Sequence, residues 1–230
     1  MIKKKKLGFG IIGCGRISAK HTESIMAIDE AELLAVCDII PEKAQNYSEK
    51  YGAKAYTDYK ELLARDDIDI VTIATPSGSH ASIGIDAARA GKHVMVEKPM
   101  SMTLKDADSL IAACREAGVK LGVIHQNRFN KSIKTLRSAM EEGRFGKLTH
   151  GQATVRWNRN DDYYKQAPWR GTRLQDGGVL MNQSIHNIDL LQWMFGPAES
   201  VFGYTATAMR PIEMEDVAGA IIKFKNGAIG

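Results

Sequence analysis

Residues 7 to 124 alternate short apolar runs with amphipathic stretches, and this alternation restricts the possible folds more than any other feature of the sequence. Strands that alternate with helical patterns predict an α/β fold, in which a doubly wound parallel sheet carries helices on both faces. The predicted strands are Leu7–Ile12, Ala31–Cys37, Ile70–Ala74, His93–Val96 and Lys120–Ile124, and the predicted helices span about 15–28, 41–51, 58–65, 78–90 and 103–117.

The pattern changes after Gln126, and the rest of the chain predicts a second, α+β domain. We therefore expect domains at 1–126 and 127–230. The Asn226-Gly227 pair normally opens a hairpin, and because its return strand would come next, we expect the second domain to be incomplete at its C-terminus. The second domain's predicted elements are a helix at Lys131–Glu142, a strand at Thr149–Trp157, a long polar loop at Asn158–Gly178, a helix at about 182–195, and strands at Val201–Arg210 and Val217–Phe224.

Composition excludes several classes of protein. With 44% apolar residues, the 230-residue chain can form packed cores. Much of its net charge of +4 lies in the run Lys3–Lys6, which is typical of a solvated leader, so we expect no nucleic-acid partner. These lysines and the run 7–14 imitate a secretory signal, but the run is short and rich in glycine. No stretch is long and apolar enough for a membrane span, so we expect no membrane partner.

Cysteine usage points to the cytoplasm. Cys14, Cys37 and Cys114 are an odd, sparse set without a CxxC pair, so neither a disulfide framework nor a zinc site is expected. No other metal is expected either. A reducing, cytoplasmic environment fits this composition.

The strongest local signal is the turn Gly13-Cys14-Gly15-Arg16-Ile17-Ser18 between the first strand and the first helix. Gly13 allows a tight turn. Gly15 lacks a Cβ, so a pyrophosphate can approach the backbone N–H groups at the helix N-terminus. Ser18 replaces the third glycine of the strict fingerprint. This context predicts a Rossmann dinucleotide site that includes Gly13, Gly15, Arg16 and Ile17.

Asp38 ends the second strand, twenty-five positions after Gly13. A carboxylate there would accept hydrogen bonds from the adenosine ribose hydroxyls and would repel a 2′-phosphate. The residues that follow, Ile39 and Ile40, offer no arginine for such a phosphate. The cofactor predicted is therefore NAD and not NADP. The alternative is that Asp38 only caps the helix that begins near Pro41.

Two further segments follow strands at the sheet edge where ligands bind in doubly wound folds. These are Ala74-Thr75-Pro76-Ser77 and Glu97-Lys98-Pro99, and both are expected to face the cofactor. A charged pair directly after an apolar strand is unusual for a simple turn. Lys98 is a candidate for catalysis, although on its own it could be a surface lysine.

Together these residues resemble the glucose-fructose oxidoreductase, inositol dehydrogenase and rhizopine catabolism (Gfo/Idh/MocA) family. The resemblance implies a Rossmann domain, then an α/β domain whose large, mostly antiparallel open sheet often mediates oligomers, so a homo-oligomer (dimer or tetramer) is expected. The matching positions are Gly13–Ser18, Asp38, Ala74–His80, Glu97-Lys98-Pro99 and Asp176–Asp189.

The resemblance also implies roles for single residues. Lys98 corresponds to the family's lysine near the reacting hydroxyl, Glu97 to a residue near the nicotinamide ribose, and His186 to the general acid/base. Asn182 stands where inositol dehydrogenases usually have Asp, and a helical spacing of four would place it on the face of His186. The other candidates are Thr75, Pro76, His80, Gln126, Trp169 and Arg170 for the cofactor and Arg128, Asn182, His186 and Lys98 for the substrate.

Several of these roles have alternatives. Arg128 and Arg170 could grip a carboxylate or phosphate bidentately, or Arg170 could contact the cofactor. Trp169 could stack on the nicotinamide or fill the core. His186 taken alone could be a satisfied core residue. His21 has no constellation of partners in the sequence and is interpreted as an ordinary packing or surface residue.

The segment from Tyr163 to His186 is similar to a narrower group, the UDP-N-acetylglucosaminuronate 3-dehydrogenases. The expected function is hydride transfer between NAD and a ring-carbon hydroxyl of a sugar, polyol or nucleotide sugar, with His186 taking the proton and Lys98 stabilising the alkoxide. The alternative is a catalytically silent NAD-binding sensor or regulator. A nucleotide-sugar epimerase is disfavoured because the chain contains no Tyr-x-x-x-Lys pair.

Overall fold

The computed structural model describes residues 6–230. Of the predicted lysine leader Lys3–Lys6, only Lys6 is among them. The chain divides into two compact units, Met1–Ile124 and His125–Gly230. No helix in the described part of the chain is both long and apolar enough to cross a membrane.

The first unit is built on a six-stranded, wholly parallel sheet with the strand order β3-β2-β1-β4-β5-β6. This order, which reverses direction at β1, is that of a dinucleotide-binding Rossmann sheet. The fold class predicted from the alternation is confirmed. The strands are β1 (Leu7–Ile12), β2 (Ala31–Cys37), β3 (Lys54–Tyr56), β4 (Ile70–Ile73), β5 (His93–Glu97) and β6 (Leu121–Ile124).

Helices cover both faces of this sheet because residues next to each other along a strand point to opposite faces. Ile11 of β1 packs in one buried cluster with residues of the first two helices, and Ile12 packs in the other with residues of the next three. The helices are α1 (Ser18–Met26), α2 (Pro41–Tyr51), α3 (Tyr59–Leu63), α4 (His80–Arg89, after a 3₁₀ turn at Ser77–Ser79) and α5 (Leu104–Glu116).

The sequence prediction missed β3. Its three residues are too few to show a period, and it forms because Ala35–Cys37 of β2 offers a free edge for parallel pairing. The predicted helix ends also differ by one to three residues, as at 15–28, which is helical only over Ser18–Met26.

The second unit contains α6 (Lys131–Glu141), α7 (Asp161–Lys165), α8 (Ile185–Phe195) and the antiparallel pair β7 (Ala198–Ala206) and β8 (Val217–Phe224). A 3₁₀ turn at Gln126–Phe129 precedes α6, and a π-helical segment at Val179–Ser184 precedes α8. The sheet expected from the family resemblance consists of these two strands in the described residues. Phe195 at the end of α8 stacks on Phe224 at the end of β8, with ring centroids 5.2 Å apart.

The predicted strand at Thr149–Trp157 is wrong. Only the start of this segment is paired, in an isolated β-bridge made by the bonds from Gly151 N–H to Ile229 O and from Ile229 N–H to Thr149 O. Residues 152–157 have no paired strand among the described residues. An alternating pattern shows that a segment suits a sheet, but it does not supply the neighbour that makes it a strand.

Two other predicted elements of the second unit need correction. The strand at Val201–Arg210 ends at Ala206, because the Asp216 carboxylate accepts the backbone N–H groups of Ala208, Met209 and Arg210 at 2.7–2.8 Å and so removes them from the ladder. The helix at about 182–195 starts as a π-helix and becomes α-helical only at Ile185.

The predicted hairpin turn at Asn226-Gly227 is present. Gly227 has φ +87°, a conformation that glycine adopts without strain. The chain then returns along β8, where Gly230 and Ile222 exchange backbone hydrogen bonds of 2.6 and 2.8 Å.

Candidate active site

The carboxyl ends of four strands are level with one another, and this alignment defines the candidate site in the first unit. Ile12 pairs with Cys37 and with Ile73, and Ile73 pairs with Val96. The residues directly after these four paired positions therefore stand in a row along one edge of the sheet. Those residues are Gly13, Asp38, Ala74 and Glu97.

Gly13 makes the tight turn that begins the site. Its φ is +98°, and its N–H donates to Cys37 O at 2.8 Å. A Cβ at this position would lie 2.6 Å from Ala74 O, so no side chain fits. Gly15 differs, because a Cβ there would meet no heavy atom within 4 Å. The space above Gly15 is open, as the approach of a pyrophosphate to the backbone requires.

The N-terminus of α1 is prepared for an anion. Its N-cap residue, Ile17, provides no side-chain cap, and its first turn contains no acidic residue. Within residues 6–230, no side-chain cap and no first-turn carboxylate therefore competes for the first N–H groups of the helix and the positive end of its dipole. Ser18 is buried and bonds Gly15 O and the Tyr47 hydroxyl, which fixes the turn where the strict fingerprint has glycine. Arg16 is exposed on the same turn.

Asp38 lies beside the glycine turn. Its Oδ2 accepts the Cys14 N–H and its Oδ1 accepts the Ile40 N–H, each at 2.9 Å. Ile40 is the N-cap residue of α2, and Asp38 makes no bond to an N–H inside that helix. The simple capping alternative is therefore not the arrangement observed, and the predicted contact of Asp38 with a ribose stays a prediction.

His80 links two of the loops at the sheet edge. It is only 1% exposed; its Nδ1 lies 2.7 Å from Pro99 O and its Nε2 lies 2.9 Å from Thr75 O. Burial lowers the pKa of His80 more than these two carbonyl contacts and the Glu97 charge raise it. In this unit His80 supports the loops that carry Thr75, Pro76 and Lys98, and its predicted direct contact with a cofactor stays a prediction.

Glu97 and His21 form a buried pair, which the sequence interpretation of His21 missed. The Glu97 Oε1 lies 2.8 Å from His21 Nε2, the two side chains being 8% and 12% exposed, and Oε2 accepts the Lys98 N–H at 3.1 Å. Burial acts to raise the pKa of Glu97, but the His21 hydrogen bond and charge and the Lys98 N–H together bring it below its ordinary value of 4.5. His21 on α1 thus holds the residue that precedes Lys98.

In the second unit, His186 is 6% exposed and lies in the first turn of α8. Its ring is T-shaped to that of His125, with centroids 6.1 Å apart. Asn182 belongs to the π-helical segment and not to α8, and the predicted shared face of Asn182 and His186 stays a prediction. Asn182 Nδ2 donates to the buried Asp176, which also accepts the Gly171 N–H at 2.6 Å.

The π-helical segment owes its start to a distant carboxylate. Glu215 accepts the Leu180 N–H at 3.0 Å through Oε1, and its backbone oxygen accepts the Val179 N–H at 3.1 Å. Gly178 has φ +72°, and a Cβ there would lie 2.4 Å from Glu215 Oε2. π-helical turns occur frequently at functional sites. No local sequence signal identifies this contact, because Glu215 is 35 residues away from Leu180.

One of the two predicted anion-gripping arginines, Arg128, is occupied by another group of the protein. Arg128 makes a bidentate pair with Asp189, with distances of 2.7 Å from Nε and 2.5 Å from Nη2, and lies over the Trp193 ring at 5.1 Å. Its fork is therefore directed at Asp189. Asp189 is the missed residue here, since a bidentate partner 61 positions away cannot be identified from spacing.

Arg170 lies against aromatic rings. Its guanidinium is 4.0 Å from the Tyr163 ring centroid and 5.0 Å from that of Trp169. Trp169 is half-buried beside it, and Gln126 is exposed at the start of the unit. The predicted contacts of these three residues with a cofactor stay predictions.

The described residues contain no group of three or more His, Cys, Asp or Glu side chains arranged to hold a metal ion. Cys14, Cys37 and Cys114 are all free and buried.

Similar proteins and solved structures match nearly the whole of this chain. The protein is 32% identical to the myo-inositol 2-dehydrogenase of Thermotoga maritima over 96% of this chain and 66% of the relative. It is similar to WlbA dehydrogenases from Bordetella pertussis (43% identity, TM-score 0.96) and Chromobacterium violaceum (42%, 0.96), each solved with NADH and UDP-GlcNAcA. In both comparisons 100% of this chain matches 67% of the other. The chain thus spans about two thirds of the length of these relatives.

Two family models match consecutive parts of the chain. The oxidoreductase family with an NAD-binding Rossmann fold matches residues 7–125, and the GFO/IDH/MocA C-terminal domain matches residues 133–230. The glycine turn, the strand order and the row of strand ends agree with the first match. The chain therefore belongs to the Gfo/Idh/MocA oxidoreductase family, and its first unit is the family's NAD-binding Rossmann domain.

Proposed function

We propose that this protein is an NAD-dependent dehydrogenase that oxidises a ring-carbon hydroxyl of a sugar, polyol or nucleotide sugar. Among these, a nucleotide-sugar acid of the UDP-N-acetylglucosaminuronate type is the substrate that we favour. The similarity to dehydrogenases solved with NADH and UDP-GlcNAcA supports this choice, as do the inositol and anhydrofructose enzymes among the relatives.

The observation that carries the proposal is the position of Lys98. This lysine directly follows β5, on the same sheet edge as the glycine turn and Asp38. The buried Glu97 that precedes it is fixed by His21 from α1, the helix whose N-terminus opens at the glycine turn. In this proposal the Lys98 cation acts beside the groups that suit a dinucleotide and stabilises a developing alkoxide.

In this proposal, bound NAD⁺ supplies the acceptor for the hydride that leaves the ring carbon. His186 accepts the proton of the hydroxyl, so that the carbon–oxygen bond becomes a carbonyl. Lys98, as a cation, stabilises the negative charge that develops on that oxygen. Asn182, held by Asp176, orients the sugar through a hydroxyl hydrogen bond but cannot take up the proton.

The proposal is tested by replacing Lys98 and His186, each with a matched control. Lys98→Ala is expected to abolish NADH formation at 340 nm while NAD binding stays measurable, and the exposed Lys105→Ala is expected to behave as wild type. His186→Gln should lose activity, whereas His150→Gln, at an exposed position, should keep it. Full activity of Lys98→Ala would remove this lysine from the mechanism.

The same assay separates the enzyme from its rival, a silent NAD-binding sensor. Tight NAD binding without turnover on any sugar, polyol or nucleotide sugar would favour the sensor. Reduction of NAD by any of them excludes it.

We further propose a cytoplasmic homo-oligomer, a dimer or tetramer. Three free and buried cysteines are compatible with a reducing compartment. The β7–β8 pair exposes Phe202, Tyr204 and Ile221 at 62–76%; Phe202 pairs with Ile221 and contacts the Tyr204 ring, and exposed apolar surface of this kind supports an interface. Light scattering of the purified protein tests this, and a monomer at micromolar concentration would contradict it.

A further inference from the structure

A cavity of about 440 Å³ lies entirely within the second unit and takes no part in the chemistry assigned so far. Its wall is formed by residues 155–159, by the π-helical segment, by the loop after β7 and by the start of β8. A cavity of this size can hold a sugar-sized group. The polar lining residues that matter here are Arg156, Arg159, Gln183, Arg210 and Asp216.

Two of these residues have polar atoms without a hydrogen-bond partner. Gln183 is 4% exposed, and its Oε1 accepts no hydrogen bond among the described residues, while its Nε2 reaches the Tyr163 hydroxyl at 3.4 Å. The buried Nε of Arg159 likewise donates to no group in the described part of the chain. Buried polar atoms are nearly always paired in native proteins, so an unpaired acceptor and an unpaired donor on one cavity wall point to a ligand.

The charge of the cavity is positive. Arg210 donates to Arg159 O at 2.8 Å and pairs with Asp161 at 3.0 Å, so it is used within the protein. The Asp216 carboxylate accepts hydrogen bonds from three backbone N–H groups. Burial acts to raise the pKa of Asp216, but these bonds hold it below its ordinary value. Arg156 and Arg159 pair with no carboxylate in residues 6–230. They leave two cations for a ligand.

The Arg159 guanidinium is held in place by aromatic rings. It lies 4.5 Å from the Tyr163 centroid and 5.1 Å from that of Trp157. Stacking of this kind restricts the guanidinium plane without using its N–H groups. The Arg159 donors are therefore preorganised for an oxyanion, and less conformational entropy is lost when one binds.

We propose that this cavity is the oxyanion-binding part of the substrate site, which makes the protein selective for negatively charged sugars. Arg159 and Arg156 bind a carboxylate or phosphate oxygen, and Gln183 accepts a hydrogen bond from a sugar hydroxyl or amide N–H. Gln183 of the π-helical segment precedes His186 of α8 by three residues. This assignment rests on the proposed function, and it replaces Arg128, whose fork binds Asp189, as the group expected to grip an anion.

The oxyanion has two possible sources, a uronate carboxylate and a nucleotide diphosphate. Four probes separate them: UDP-glucuronate carries both groups, UDP-glucose only the diphosphate, glucuronate only the carboxylate, and glucose neither. Binding of each is measured by calorimetry with the full chain and NADH. We expect at least one anionic probe to bind well above glucose, with an affinity that falls as salt is added.

The arginine variants test the residues. Arg159→Gln is expected to weaken the anionic probe about tenfold or more, the usual loss for a charge-assisted hydrogen bond, and to leave glucose unchanged. Arg156→Gln removes a charge at an exposed position without disturbing packing, so weaker binding of the anionic probe by this variant cannot be attributed to misfolding. Arg144→Gln, exposed and outside the cavity, is the control. The probe whose advantage disappears identifies the source of the oxyanion.

Anion binding and NAD reduction are measured separately, so the cavity assignment and the dehydrogenase activity can fail independently. Loss of anion binding in the arginine variants supports the cavity assignment even if wild type reduces no NAD. Binding of the anionic probe that neither arginine variant weakens would overturn the assignment and leave the dehydrogenase intact. Equal binding of glucose and UDP-glucuronate to wild type would also overturn it.

Discussion

The two glycines of the first turn provide a matched pair of perturbations. In Gly13→Ala the new Cβ would lie 2.6 Å from Ala74 O and 2.9 Å from Thr75 N, at a φ of +98°. The left-handed conformation costs an alanine about 1–3 kcal/mol, and the forced contact adds about 1–3 kcal/mol. The variant should therefore be destabilised by about 2–6 kcal/mol, a large part of a typical stability of about 5–15 kcal/mol.

Gly15→Ala should behave oppositely, because its Cβ meets nothing within 4 Å and its φ is not positive. Its stability is expected to stay within about 0.5 kcal/mol of wild type. Its affinity for NADH should fall about tenfold or more, because the methyl group takes the space through which the diphosphate approaches the backbone.

Both variants are compared by thermal denaturation without cofactor and by NADH fluorescence titration. For a chain of this size, a loss of 2 kcal/mol lowers the Tm by about 4–8 °C. A wild-type Tm for Gly13→Ala would refute the turn geometry. Wild-type NADH affinity for Gly15→Ala would refute the placement of the diphosphate.

Three further predictions concern stability and reactivity. The pKa of Glu97 is lower in the folded than in the unfolded chain, so the stability that its ionised carboxylate contributes is present above pH 4.5 and is lost as pH falls through the folded pKa. In urea titrations over that pH range, Glu97→Gln should lose less stability than wild type. An identical loss would contradict the His21 pairing. Arg128→Ala removes the bidentate partner of the 14%-exposed Asp189, which keeps the His125 contact at 3.7 Å, and should cost about 1–3 kcal/mol in chemical denaturation, whereas no change would show that the pair is unimportant. Burial, with the charge of Asp38, raises the pKa of Cys14 to about 12, so this thiol should resist alkylation at pH 8 until urea unfolds the chain; rapid native labelling would argue against its burial.

The first unit could be predicted from the sequence almost completely because its signals are local. The glycine turn, the apolar strands and the position of Asp38 can each be recognised from residues nearby in the sequence or from the repeated β-α unit. Gly13, Asp38 and Lys98 accordingly stand on the sheet edge where the pattern placed them. The short β3 was missed because three residues carry no period.

The second unit was harder to predict because its geometry depends on distant partners. Glu215, 35 residues away, accepts a backbone N–H at the start of the π-helical segment, and the Arg128 guanidinium is fixed by its bonds to Asp189, 61 residues away. His21 was dismissed for the same reason, since Glu97 is 76 residues away. The prediction of a strand at 149–157 is wrong because the alternation of apolar and polar residues there does not reveal whether a neighbouring strand is available for pairing.

The central claim is that the chain passes a hydride from a ring carbon to NAD with the help of Lys98 and His186. The most direct measurement of this transfer uses a nucleotide-sugar acid of the UDP-N-acetylglucosaminuronate type, synthesised with deuterium at the carbon to be oxidised, and follows NADH formation at 340 nm and transfer of the label by mass spectrometry. The account predicts that wild type moves deuterium to the nicotinamide, that Lys98→Ala and His186→Gln do not, and that sugars and polyols are the alternative substrates to try. Label that stays on the sugar with every substrate class, in a protein that binds NAD, would contradict it.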